Sequence, residues 1–193
     1  MQSNNFYEQV WEYRLVISPP DEVNRSIGKI KKEVGVKYGN SHTIHSSAYI
    51  SLVKFLLVKG CERYLLSSLF SFCINKMPVE IMLNNFDVFP SHMLYVNVME
   101  NQGLKKLQNE LTSLLIIHLP VYEKLMKAAK KHYMSIAGNL SPLQFEPIAK
   151  EYKGKHINTS FRAKRIVMLK RLYGYNTESC RRYGSHNFVL GCC

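Results

Sequence analysis

No Gly-rich phosphate loop, Walker pattern or nucleophile elbow occurs in these 193 residues, so P-loop phosphoryl transfer and α/β-hydrolase chemistry are excluded at the outset. Cysteine is sparse and badly spaced for metal. Cys61, Cys73, Cys180, Cys192 and Cys193 form neither a C-x-x-C pair nor a Cys/His cluster, and no metal or other cofactor is indicated. Their odd number and the polar start Met1 to Asn5 argue against a secreted disulfide scaffold and against a signal peptide, with Cys192 and Cys193 read as a frayed tail. Membrane-spanning runs are missing too, because Lys54, Lys59, Glu62 and Arg63 interrupt the most apolar stretch. A soluble, cytoplasmic, monomeric protein is therefore expected, with a protein partner left open.

Acidic residues are also scarce: 14 against 26 Lys and Arg, a net charge of +12. That balance favours anionic partners, nucleic acid or nucleotides first among them. The densest basic runs are 29–32, 127–131, 162–165 with Lys170 and Arg171, and Arg181-Arg182; each run alone reads by default as a solvated face. Hydrophobic content of 46% with 21% charged residues places the chain among globular proteins, with one core expected.

What is present is a duplicated pattern. Tyr49-Ile50-Ser51-Leu52-Val53 and Tyr133-Met134-Ser135-Ile136-Ala137 lie 84 positions apart. In a strand, residues i and i+2 share a face, so each copy would aim a phenol and a hydroxyl into one space. The competing reading is a pair of ordinary strand tyrosines, half-buried with the hydroxyl at the surface.

Around these copies the sequence predicts a strand at 13–18 stopped by Pro19-Pro20, a helix from Asp21 to about Tyr38, a strand at 48–57 and a helix at 60–75. A strand at 79–89 with a turn or bulge at Asn84-Asn85 and a strand at 92–99 follow. The spacing of Leu104, Leu107 and Leu111 marks a helix, and Pro120 opens another carrying Leu125 and Met126. Then come the strand at 132–137, a helix capped by Ser141-Pro142, strands at 156–161 and 164–172, and a last strand at 187–190. The outline is an α+β protein: two pseudo-symmetric lobes of antiparallel sheet with flanking helices around a central cleft, in a single bilobal domain over 1–193 whose segment 173–193 diverges.

This layout resembles the 2H phosphoesterase superfamily, which includes 2′-5′ RNA ligases and cyclic phosphodiesterases. The resemblance covers about residues 13 to 172 and is carried by the strand-Pro-Pro-helix opening, the run 48–55, Phe86-x-x-Phe89-Pro90-Ser91-His92-Met93-Leu94-Tyr95-Val96, and the run 133–140. It implies two motif strands bearing His-x-Thr or His-x-Ser, whose imidazoles act as general base and general acid while the hydroxyls hold phosphate. Ser51 and Ser135 match those hydroxyls; Tyr49 and Tyr133 stand where the histidines would. Imidazole titrates near pH 6.5 and suits proton transfer at neutrality, whereas a phenol ordinarily holds its proton until about pH 10. It can still donate a hydrogen bond to a phosphate oxygen.

The ligand-binding candidates are thus Tyr49, Ser51, Tyr133 and Ser135, with Lys54, Phe89, His132 and Arg162 as accessory candidates and no catalytic residue assigned. Phe55 is expected in the core, and Phe86, Phe89 and Tyr95 either stack on a base or pack internally. His132 adjoins Tyr133 and should point to the opposite face. His156 reads as solvated or capping, and His45-Ser46-Ser47 fits the written motif but precedes the apolar strand. The leading function is a nucleotide- or RNA-binding protein that captures a phosphodiester ligand, such as a cyclic nucleotide, an oligonucleotide or an RNA end, without efficient cleavage. Its alternatives are an active 2′,3′-cyclic or 2′-5′ phosphodiesterase and a scaffold for a protein partner.

Overall fold

In the computed structural model, which describes residues 9–90, 92–174 and 184–191, strand β1 (Val10–Ile17) buries Tyr13, Leu15 and Ile17 completely. Pro19 and Pro20 end it by removing donors from the ladder. Helix α1 (Asp21–Lys37) opens with Asp21 and Glu22, where the helix dipole favours negative charge. Its buried stripe runs Val23, Ile27, Lys31, Val34, with a lysine in an otherwise apolar row.

Gly39 takes a left-handed φ of +66°, and Asn40 then caps the short α2 (Ser41–His45) by accepting from the Thr43 N–H at 3.1 Å. The Asn40 amide also donates to the Gly138 carbonyl, 3.1 Å away, which ties this turn to the far half of the molecule. Gly35 makes room for the turn, since a Cβ there would lie 2.4 Å from Ile44 Cγ1.

Strand β2 (Ile50–Val58) and α3 (Glu62–Ile74) follow, then β3 (Val79–Phe89), β4 (Met93–Val98) and α4 (Gln102–His118). The remainder is β5 (Lys127–Ala128), β6 (Tyr133–Ala137), α5 (Pro142–Tyr152), β7 (Asn158–Ala163), β8 (Arg165–Leu172) and β9 (Gly184–Val189). The strands form one antiparallel sheet in the order β7-β3-β4-β6-β2-β1-β8-β9, with β5 also pairing to β2. It divides into two four-stranded halves, and the two inner strands, β2 and β6, are joined by the single pair Ile50↔Met134. Each inner strand has an analogous neighbour, β1 beside β2 and β4 beside β6. The halves are not consecutive in the chain, because β8 and β9 return to complete the half that β1 and β2 begin.

Two irregularities set side-chain direction. Between Leu15↔Val53 and Val16↔Ser51 the register slips by one residue on β2, so Leu52 is extra there and both Leu52 and Val53 are fully buried. Asn85 has φ +57°, and the β3–β4 ladder passes from Asn84↔Asn97 directly to Phe86↔Val96. The Asn84-Asn85 signal is thus a bulge within one continuous strand.

The helix expected after Pro120 is absent: only one 3-10 turn forms at Glu123–Leu125, Leu125 is exposed, and Lys127-Ala128 enters the sheet opposite Val53 and Lys54. The ladder to β2 satisfies backbone groups that a helix without a buried stripe could not shelter. His156 precedes β7 and hydrogen-bonds the Asn85 side chain at 2.9 Å. Ser91, Cys180, Arg181-Arg182, Cys192, Cys193 and the Met1 to Asn5 start lie outside the described residues. No helix of the described residues is long and apolar enough to cross a membrane.

Candidate functional site

On the face of the sheet where β2 and β6 meet lies a cavity of about 1130 Å³. Tyr49, Ser51, Tyr133 and Ser135 all line it, so the two Tyr-x-Ser copies meet in one space. Strand alternation accounts for most of the wall: Arg14 and Val16 on β1 with Ser18 just past its end, Tyr133 and Ser135 on β6, Val167 and Leu169 on β8, Ser185 and Asn187 on β9. Lys54 is three positions from Ser51 and would face away in a regular strand. The extra residue Leu52 brings it back, and Lys54 sits opposite Arg14 on the cavity side.

The electrostatics are one-sided. Arg14, Lys31, Lys54, Lys127, Lys130 and Lys131 line the cavity, and among the described residues no Asp or Glu does. The counter-charge behind this wall is Glu12, only 5% exposed, whose carboxylate lies 2.8 Å from Arg171, 3.3 Å from Lys54 and 3.8 Å from Arg14. Burial opposes its ionisation, but the Arg171 hydrogen bond and the Lys54 charge outweigh that and hold its pKa below the ordinary carboxylate value. One carboxylate shared among three cations leaves a net positive wall. Arg14 also donates to the Tyr49 hydroxyl at 2.8 Å, which fixes the phenol at the cavity edge.

On the other half, Tyr133 packs edge-on against Phe89 with ring centroids 5.1 Å apart and lies 5.2 Å from the Tyr95 ring. The Tyr95 hydroxyl donates to Asp87 at 2.6 Å and accepts from the Lys131 ammonium at 2.7 Å. The Tyr95 hydrogen bond, helped against burial by the Val88 N–H and then by Lys131, keeps the Asp87 carboxyl below its usual range. Phe89 is thus both a wall of the cavity and part of an internal aromatic cluster.

Lys31 was legible in the sequence only as one member of a basic run. It is 2% exposed, and its ammonium donates to the carbonyls of Ser135 at 3.2 Å and Ser47 at 3.5 Å. Burial pushes its pKa down to about 8. The signal that could have found it is its place at i+4 from Ile27 and i+8 from Val23, in the core-facing stripe of α1.

Two accessory candidates lie off the cavity wall. His132 is half-buried and absent from the cavity wall, because Tyr133 takes the cavity side and a neighbour in an extended chain points the other way. Burial, then the Lys105 charge, lowers its pKa, and Nε2 has no hydrogen-bond partner among the described residues. Arg162 is exposed on β7, the strand at one edge of the sheet, paired opposite Glu80. Phe86 contacts Tyr152 of α5 instead of the cavity. His45, Ser46 and Ser47 do reach the wall from the end of α2. Among the described residues no cluster of His, Cys, Asp or Glu could hold a metal ion.

A family model described as the 2′-5′ RNA ligase superfamily matches residues 19–174. Among solved structures, E. coli LigT complexed with 3′-AMP is similar at 12% identity and TM-score 0.60, covering 94% of this chain and 98% of that one. E. coli LigT complexed with NADP+ gives 13% identity, TM-score 0.60 and coverage of 95% and 100%. The protein TT0787 of Thermus thermophilus gives 12% identity, TM-score 0.60 and coverage of 93% and 98%. No curated protein matches the sequence.

Proposed function

Because the chain belongs to the 2′-5′ RNA ligase superfamily, we propose that its cavity captures a phosphodiester or nucleotide ligand and turns it over poorly or not at all. The observation that carries this reading is the wall itself: among the described residues, six cations and no carboxylate surround two serine hydroxyls contributed by the adjacent inner strands. Such a wall compensates a phosphate that is losing water, through charge and through hydrogen bonds to its oxygens. Phe89 and Tyr133 offer aromatic surface beside it for a base, and stacking of that kind is worth about 1–3 kcal/mol per base. The E. coli LigT structures solved with 3′-AMP, NADP+ and ATP support a nucleotide as the ligand class.

The limited turnover follows from the chemistry of the two tyrosines. Cleaving a phosphodiester requires a proton to leave the attacking oxygen and another to reach the leaving oxygen, and a phenol does neither efficiently at neutral pH. Tyr49 is further committed to Arg14. Tyr49, Ser51, Tyr133 and Ser135 therefore act as binding groups, with Lys54 and Phe89 beside them.

A second reading, an active phosphodiesterase, is favoured by one observation: His45 lies in the same wall and carries an imidazole. Incubation of the protein with adenosine 2′,3′-cyclic monophosphate, with bound and hydrolysed nucleotide quantified in parallel, separates the two. Stoichiometric binding without product supports capture; multiple turnover lost in His45→Gln supports the enzyme; neither binding nor product rejects both.

A further inference from the structure

We propose that Lys31 is the cation that meets the ligand's phosphate at the seam between the two halves, so that anion binding and protonation of this one amine are coupled. The inference rests on the anion-binding reading above and names its charge donor. Three of the cations that share the wall with it have a counter-charge: Arg14 and Lys54 share Glu12, and Lys131 has Asp87. Lys31 has none among the described residues. Its two acceptors are main-chain carbonyls, of Ser135 on one inner strand and of Ser47 just ahead of the other. An ammonium has three N–H donors, so two carbonyls leave one donor and the whole charge without a partner. Burying an uncompensated charge is costly, and an anion arriving in the cavity between Ser51 and Ser135 removes that cost.

The position is as telling as the charge. The ladder joining β2 and β6 is one pair long, Ile50↔Met134, and Lys31 donates to the very next residue on β6. The competing explanation is a lysine that only closes this seam. The two differ in their response to pH. His45 of α2, Tyr49 ahead of β2 and Tyr133 of β6 share the cavity wall with Lys31, while Lys32 and Glu33, next to it on α1, are exposed and Glu151 on α5 is engaged by Lys37. Burial, not any of these charges, is what brings the amine to about 8. A phosphate beside the amine stabilises its protonated form, so binding near pH 8 takes up a proton. Affinity then follows the charged fraction and falls about tenfold from pH 7 to pH 9.

The test is calorimetric titration with adenosine 3′-monophosphate, whose phosphate loses its second proton near pH 6 and keeps its charge over this range. The wild type is measured at pH 7 and 9, and at pH 8 in buffers of different ionisation enthalpy. We expect about tenfold weaker binding at pH 9 and a buffer-dependent heat reporting proton uptake. Lys31→Met should melt no lower than the wild type yet bind at least tenfold more weakly at pH 7, with no pH slope. Lys31→Arg should restore binding without the slope. Wild-type affinity that is flat from pH 7 to 9, or Lys31→Met with wild-type affinity, overturns the role of Lys31 and leaves anion capture standing. Absence of any binding by the wild type overturns both. The wild-type slope and buffer heats decide the matter even if a variant fails to fold.

Discussion

Replacing Glu12 by Gln keeps the shape of the side chain and removes the carboxylate beneath the cation-lined wall. In the native protein this group lies 2.8 Å from Arg171 and 3.3 Å from Lys54 while being 5% exposed. Breaking a fully buried ion pair by removing one partner costs about 3–5 kcal/mol. Here the cations keep partial contact with water, with side-chain exposures of 20% for Arg171 and 31% for Lys54, so about 2 kcal/mol is expected after allowing for screening. For a domain of this size that corresponds to a melting temperature lower by roughly 4–8 °C.

The pH dependence has a definite sign. The folded-state pKa of Glu12 is lowered, so its contribution is present above the ordinary carboxylate range and is lost as pH falls through the folded value. Urea denaturation of wild type and Glu12→Gln should therefore diverge at pH 7 and converge as the pH is taken well below the ordinary carboxylate value of 4.5. The same substitution should tighten nucleotide binding by roughly threefold to tenfold at low salt, since one negative charge near the site is gone. Equal stability at pH 7 together with unchanged affinity would refute the electrostatic description of the wall.

Three further outcomes are expected. For an oligonucleotide presenting two phosphates, affinity should fall roughly sevenfold between 50 and 200 mM salt by counterion release from a single strand, and affinity indifferent to salt over that range contradicts a charge-driven site. Tyr49→His combined with Tyr133→His should raise hydrolysis of adenosine 2′,3′-cyclic monophosphate by about 100-fold or more with a bell-shaped pH profile, since each proton-transfer group commonly contributes about 10²–10⁴; a double variant that binds the nucleotide without faster hydrolysis counts against the assigned positions. Gly35→Ala should destabilise the fold by about 1–3 kcal/mol through overpacking, because its Cβ meets the Asn40 carbonyl at 2.9 Å as well as Ile44, and a thermal melt at the wild-type value shows that the α1–α2 contact is looser than described.

Periodicity made the elements legible where local pattern and packing agree. Pro19-Pro20, the Leu104-Leu107-Leu111 spacing and the Ser141-Pro142 cap each mark a boundary that the fold uses. The duplicated Tyr-x-Ser strands were legible for the same reason, since alternation needs only a regular strand. What local pattern alone could not decide depended on register or on distant partners. Lys54 reaches the cavity because Leu52 is an extra residue, and a bulge set by cross-strand pairing leaves no mark in a single strand's pattern. Arg162 stands just ahead of β8, which lines the cavity, but it lies at the sheet edge in space, since strand order follows long-range pairing. The segment after Pro120 carries helix-forming residues, yet β2 offers it a ladder instead. Nothing in the local pattern marks Glu12 as buried, and Lys31 stood out only within the basic run 29–32; each is buried by neighbours far along the chain.

A crystal structure with adenosine 3′-monophosphate bound tests the central claim most directly. The phosphate should lie between the two motif strands, within hydrogen-bonding distance of the Ser51 and Ser135 hydroxyls, with the base against Phe89 and Tyr133. A phosphate bound outside this cavity, or a cavity left without nucleotide at saturating concentration, would contradict it.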